Sequence, residues 1–190
     1  MNILTSSLPT KIRVNDNIYD INYDYKTVIN ILLAFEDEEL TIEEKNYIMI
    51  NNLYKDEIRQ EDYITACEKA IKFIDCGNDE EDEHKSNYRI YSFEKDASYI
   101  FTGISMTHHI DLEIKSDLHW WKFVSLFMDM SPDCMFGQLV YYRKRKAEGK
   151  LTKEEKKQYE KIKDIVDLER THKISEARRN FFKKYNENRK

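Results

Sequence analysis

Apolar and polar positions near the start of the chain first alternate and then cycle. In KIRVNDNIYDINYDY, Ile12 and Val14 precede Asn15-Asp16-Asn17, and Ile18 and Ile21 follow. Two short β-like runs around residues that tolerate left-handed geometry predict a small hairpin. From Lys26 the period becomes helical, with Val28, Ile31, Leu32 and Phe35 at i, i+3, i+4 and i+7. Thr41-Ile-Glu-Glu44 is a capping box that opens a helix carrying Tyr47, Ile48, Ile50 and Leu53. Tyr63, Ile64, Cys67, Ala70, Ile71 and Ile74 form the next helix, with Gly77 as its left-handed terminator.

The second half reads as helices throughout. Ser92 is the expected cap of a helix carrying Phe93, Ala97, Ile100, Phe101 and Ile104. Another helix is expected from Leu118 to Met128. Ser131-Pro132 places a cap before a proline at the first helical position, ahead of Met135, Phe136, Leu139, Val140 and Arg143. Thr152-Lys-Glu-Glu155 repeats the capping box and opens a helix with Tyr159, Ile162, Ile165, Val166 and Leu168. Between the two halves, NDEEDEHKSN reads as a solvated acidic loop.

Composition agrees with a mainly α fold. Only 4 Gly and 2 Pro punctuate 190 residues, too few for the many turns of a sandwich or barrel. With 13 Tyr and 9 Phe the core should be aromatic. No apolar run approaches a membrane span, and the start shows no basic and apolar signal-peptide pattern. Three cysteines, Cys67, Cys76 and Cys134, read as reduced thiols rather than a disulfide framework.

Charge divides the chain. Residues 143–190 carry 18 Lys and Arg against 9 Asp and Glu, while the first 142 carry 13 against 27. This predicts an acidic helical bundle-like domain with an N-terminal hairpin over residues 1–148. A basic, helical C-terminal extension follows over 149–190. Such an extension suits nucleic acid, an anionic membrane, an acidic protein surface or another copy of the acidic body.

Catalytic signatures are missing from the sequence. The glycines are isolated, so there is no phosphate-cradling loop, and no Gly-x-Ser-x-Gly elbow occurs. His108, His109 and His119 fit neither a helical His-x-x-x-His pair nor a Cys/His finger. Glu94, Asp96 and Glu113 are candidate acids only in the sense that any carboxylate is, and most such groups are solvated. The expectation is a protein without enzymatic activity, cofactor or metal.

DLHWWKFVSLFMDM is the densest apolar stretch. Trp120, Phe123, Val124, Phe127 and Met128 fall at i, i+3, i+4, i+7 and i+8, with Leu118, Trp121 and Ser125 displaced around the axis. A helix apolar over so much of its circumference suits a central position. One of the tryptophans belongs in the core on this reading, and the other sits at a helix contact or an interface, where indoles are common hot spots. The run Tyr141, Tyr142, Arg143, Lys144, Arg145 is either a phosphate-binding and base-stacking surface or a helix end whose cations meet the negative dipole. With Arg178, Arg179, Phe181 and Phe182 of the tail, these residues are the candidates for interaction.

Several stretches resemble the Gp15 proteins of tailed phages and prophages of Gram-positive hosts. They are LPTKIRVNDNIYDINYDYKTVI, DEELTIEEK, AIKFIDCG, YSFEKDASYIFTGI and IDLEIKSDLHWWKFVSLFMDMSPDCMFGQLVYYR, in order. The resemblance spans roughly residues 8–170, and the terminal THKISEARRNFFKKYNENRK has no counterpart in it. In that family the gene commonly precedes the tape-measure gene. The resemblance therefore implies a tail assembly chaperone in the host cytoplasm, with the tape-measure or another tail protein as partner, self-association as an option and no membrane. A nucleic-acid-binding or regulatory phage protein acting through the basic tail, and a structural tail component, are the alternatives.

Overall fold

The computed structural model describes residues 4–78, 88–115 and 117–168. Seven α-helices, one 3-10 turn at Gln60–Asp62 and one two-stranded hairpin are the regular elements among the described residues. The hairpin pairs β1 (Lys11–Val14) with β2 (Asn17–Asp20), Ile12 opposite Tyr19 and Arg13 opposite Ile18. Asn15 takes a left-handed φ of 50° at the turn, as a short polar side chain allows. The register settles the imperfect alternation of the second strand. Ile12 and Tyr19 share the inward face, so Ile18 points out and is 56% exposed.

A single carboxylate ties this hairpin to the helices. Asp62, 2% exposed, accepts from Asn15 Nδ2 at 2.7 Å, Asn17 Nδ2 at 2.9 Å and Tyr19 Oη at 3.0 Å. These donors, Asn15 first, hold its pKa below the ordinary carboxylate value against the opposing effect of burial.

Helix α1 (Tyr25–Phe35) starts from Asp24, whose carboxylate accepts from the Thr27 amide at 3.0 Å. Helix α2 (Ile42–Leu53) has the expected capping box at Thr41 and Glu44. Helix α3 (Tyr63–Ile74) ends one residue earlier than Gly77 alone would place it. Cys76 (φ 59°) and Gly77 (φ 77°) are both left-handed. Cys76 N–H donates to Phe73 O and Gly77 N–H to Lys72 O, the paired bonds of a Schellman terminus.

Three expected helix starts move. Helix α4 covers Ala97–His108, not Phe93 onward. Ser92 Oγ accepts from the amides of Glu94 and Lys95, but it caps a turn. The helix waits until Asp96, whose side chain is held by Arg143. Helix α5 covers Trp120–Met128, because His119, rather than a residue before Leu118, accepts the Trp121 amide. Helix α6 covers Met135–Ala147, and Cys134 rather than Ser131 is its cap. Ser131-Pro132 instead forms a preceding turn, closed by Cys134 N–H to Ser131 O. Gly137 lies so close to that turn that a Cβ would stand 2.7 Å from Pro132 O and 2.8 Å from Ser131 O.

Helix α5 is central, as its composition predicts. Phe123 is 1% exposed and stacks on Tyr25 of α1 with centroids 4.8 Å apart. Phe127 meets Phe93 at 5.5 Å and Phe136 of α6 at 5.2 Å. Burying each such side chain contributes about 1.5–3 kcal/mol. Helix α7 (Lys153–Val166) returns along α6, and Leu139, Tyr159 and Val166 form a second, smaller apolar cluster there. The described part of the C-terminal extension is therefore packed on the body. Residues 169–190, with Arg178, Arg179, Phe181 and Phe182, lie outside the described residues, as does nearly all of the acidic loop. Among the described residues no helix is long and apolar enough to cross a membrane.

Candidate functional site

Both tryptophans are core residues. Trp120 is 4% and Trp121 6% exposed, so both are buried, and the helix contact expected for one of them is made by each to the end of α3. Each uses its one polar atom inside the chain. Trp120 Nε1 donates to Ile74 O and Trp121 Nε1 to Phe73 O, both at 2.8 Å. The two adjacent indoles thus reach two consecutive carbonyls at the end of α3: Ile74 O, and Phe73 O, which also accepts the Cys76 amide.

The basic run of α6 is largely committed to α7. Arg143 is buried, contrary to a surface role, and forms a two-pronged ion pair with Asp96 at 2.6 and 2.9 Å. It also donates to Ile90 O, Ile165 O and Val166 O. Tyr141 Oη donates to Glu155 at 2.5 Å, and Arg145 Nε reaches the same carboxylate at 3.2 Å. These contacts, the Tyr141 bond first, hold the Glu155 pKa down to about 2. Lys146 donates to Tyr159 Oη and to Asp167 Oδ1 at 2.6 Å. Tyr142 is half-buried and Lys144 exposed. Of the four cations from Arg143 to Lys146, Arg143, Arg145 and Lys146 are ion-paired within the chain.

Histidines and cysteines do not converge. Among the described residues no group of three or more His, Cys, Asp or Glu is placed to hold a metal ion. His119 has a local task. Its Nδ1 accepts the Trp121 amide, so Nε2 carries the proton and donates to Pro9 O at 2.9 Å. Burial depresses its pKa, partly offset by the Pro9 bond.

An apolar, aromatic groove runs along α5, bordered by the last turn of α1, the end of α3 and the Tyr91–Phe93 segment. It encloses about 350 Å³. Trp120, Phe123 and Phe127 make its buried floor, Leu32 and Tyr91 its walls, and Met128, 74% exposed, its lip. Cys76 lies on the same wall, and burial pushes its thiol up to about 11, which keeps it protonated and unreactive at neutral pH. One carboxylate, Asp75, lines the mouth, and Asp129 follows the lip residue Met128. Glu36, the C-cap of α1, is paired with Arg89, and Lys72 lies in the last turn of α3. An apolar floor with an acidic mouth accepts an apolar side chain flanked by cations and offers no convergent catalytic groups.

Sequence reasoning missed this groove for a clear reason. Its lining comes from α1, α3, α5 and the Tyr91–Phe93 segment, so no local pattern marks it. The one local hint is Met128, an apolar residue on the α5 surface beside Asp129.

A family model described as Bacteriophage Gp15 protein matches residues 4–168. Comparison with curated proteins and with solved structures finds no match.

Proposed function

The chain belongs to the bacteriophage Gp15 protein family, and from that premise we propose that it is a non-enzymatic tail assembly chaperone which holds the tape-measure protein in the host cytoplasm. The groove along α5 carries this reading. A long, helical, aggregation-prone chain needs its apolar stripe covered before assembly. An apolar cleft of this kind takes the anchor residues of an amphipathic helix, and an acidic mouth selects helices whose anchors are flanked by Lys or Arg.

Co-expression of the tagged chain with segments of the tape-measure protein tests the proposal, with purification at low and high salt. The expected result is co-purification in a fixed ratio that survives high salt, and its loss with Met128→Glu. Retention of nucleic acid alone, released by salt, would replace this reading with the nucleic-acid one. Recovery of the chain from finished particles would favour a structural tail component.

A further inference from the structure

We propose that in the free protein the groove is filled by the chain's own C-terminal segment, with Phe181 and Phe182 in the cleft and Arg178, Arg179, Lys183 and Lys184 at its acidic mouth. The sequence RRNFFKK sets two adjacent phenylalanines between two pairs of cations. The groove offers aromatic floor residues Phe123 and Phe127 below, Asp75 in its lining, and Asp129 next to its lip residue Met128. Glu36 is already paired with Arg89 at 2.5 Å, which leaves Asp75 and Asp129 as the principal partners for the incoming cations.

The end of α7 lies beside the segment that supplies one wall of the groove. Arg143 bonds Val166 O and Ile90 O with one guanidinium, which places the end of α7 within one side chain of Ile90. Ile90 precedes Tyr91, a wall of the groove. The 12 residues between Leu168 and Phe181 span up to about 40 Å when extended, so reach is not limiting. A tethered segment of this length also works at an effective concentration on the order of millimolar. Residues 79–87, which join Asn78 on the groove to Tyr88, are no rival: DEEDEHKSN has no apolar side chain and five carboxylates. An occupied groove means that a partner helix must displace the arm, so the arm sets a threshold for binding.

This inference shares its groove with the docking reading, and its test uses no partner, so the two fail separately. The full-length protein is prepared with Phe182→p-benzoylphenylalanine, irradiated at low micromolar concentration and low salt, and its cross-linked peptides are mapped by mass spectrometry. The expected product is a single-chain species joined at Val124–Met128. Reversing the four cations (R178E, R179E, K183E and K184E together) should lower its yield at least several-fold, without changing the circular dichroism of the fold. Cross-links to another surface, or links found only between two chains, would overturn the proposal. So would a yield indifferent to charge reversal.

Discussion

Arg143 on α6 and Asp96 at the start of α4 meet face to face, 47 residues apart in sequence, with all five guanidinium N–H groups engaged. Two go to Asp96, and the rest go to the carbonyls of Ile90, Ile165 and Val166. Asp96 Oδ2 also accepts the Ser92 amide at 2.9 Å. One residue therefore joins α6, the end of α7 and the turn before α4. Its charge also sits where the dipole of α7 is negative.

Removing one partner leaves the other buried and unpaired. Asp96→Ala should cost about 3–5 kcal/mol in urea unfolding. Arg143→Met with Asp96→Leu should cost much less than the sum of the single changes. An additive double mutant would show that the pair is not energetically coupled.

Trp120→Phe keeps an aromatic ring but deletes the indole donor to Ile74 O, whose other contact is the Cys76 thiol at 3.9 Å. With that carbonyl left without a strong donor, the expected loss is about 1–3 kcal/mol. Trp121→Phe should cost less, because Phe73 O keeps the Cys76 amide. Unfolding midpoints of the two variants check this, and a neutral effect would mean that water replaces the indole.

His119 makes stability pH-dependent in a defined direction. Its folded pKa lies below the unfolded value of about 6.5, because burial disfavours the cation and Nδ1 must stay unprotonated to accept the Trp121 amide. The unfolded chain therefore binds the proton first. Stability from this group is complete well above pH 6.5 and falls as pH drops through 6.5 towards the folded pKa. His119→Asn, which keeps a capping oxygen, should flatten the difference between urea midpoints at pH 7.5 and 5.5. An unchanged difference would place the dependence elsewhere.

Gly137→Ala should destabilise the fold by about 1–3 kcal/mol, the usual range for forcing extra volume into a packed site. The added Cβ would meet the backbone of Ser131 and Pro132, which cannot rotate away. Thermal unfolding measures the loss, and a neutral outcome would show that the turn shifts freely.

Met128→Glu separates stability from binding. The side chain is 74% exposed, so the melting temperature should stay within a degree or two of the parent. Retention of a tape-measure segment at high salt should drop at least tenfold. Equal retention would move the docking surface away from this groove.

Elements whose information is local were legible in the sequence. The capping boxes at Thr41 and Thr152 stand where read, because cap and responder are three residues apart. The hairpin and the central place of α5 follow from turn chemistry and a nearly all-round apolar helix. Starts that depend on distant partners were not legible. Asp96, read among generally solvated carboxylates, is fully buried because Arg143 meets it, and that partnership leaves no mark near either residue. Ser131-Pro132 carries every local sign of a helix start. Close packing of Gly137 on that turn hands the cap to Cys134. The groove draws on four separate segments, so it emerges only once they are assembled.

Asp62 has one further consequence, for engineering. Asn15 and Asn17 both reach it from the hairpin, with Tyr19 behind them. A loop of one more or one fewer residue would bring at most some of these groups back to the same carboxylate, and a shift of one along β2 would turn Ile18 inward in place of Tyr19. Although this turn lies at the surface, it is a poor place to splice in a tag or an epitope, and a reporter belongs on the loop between α1 and α2 instead.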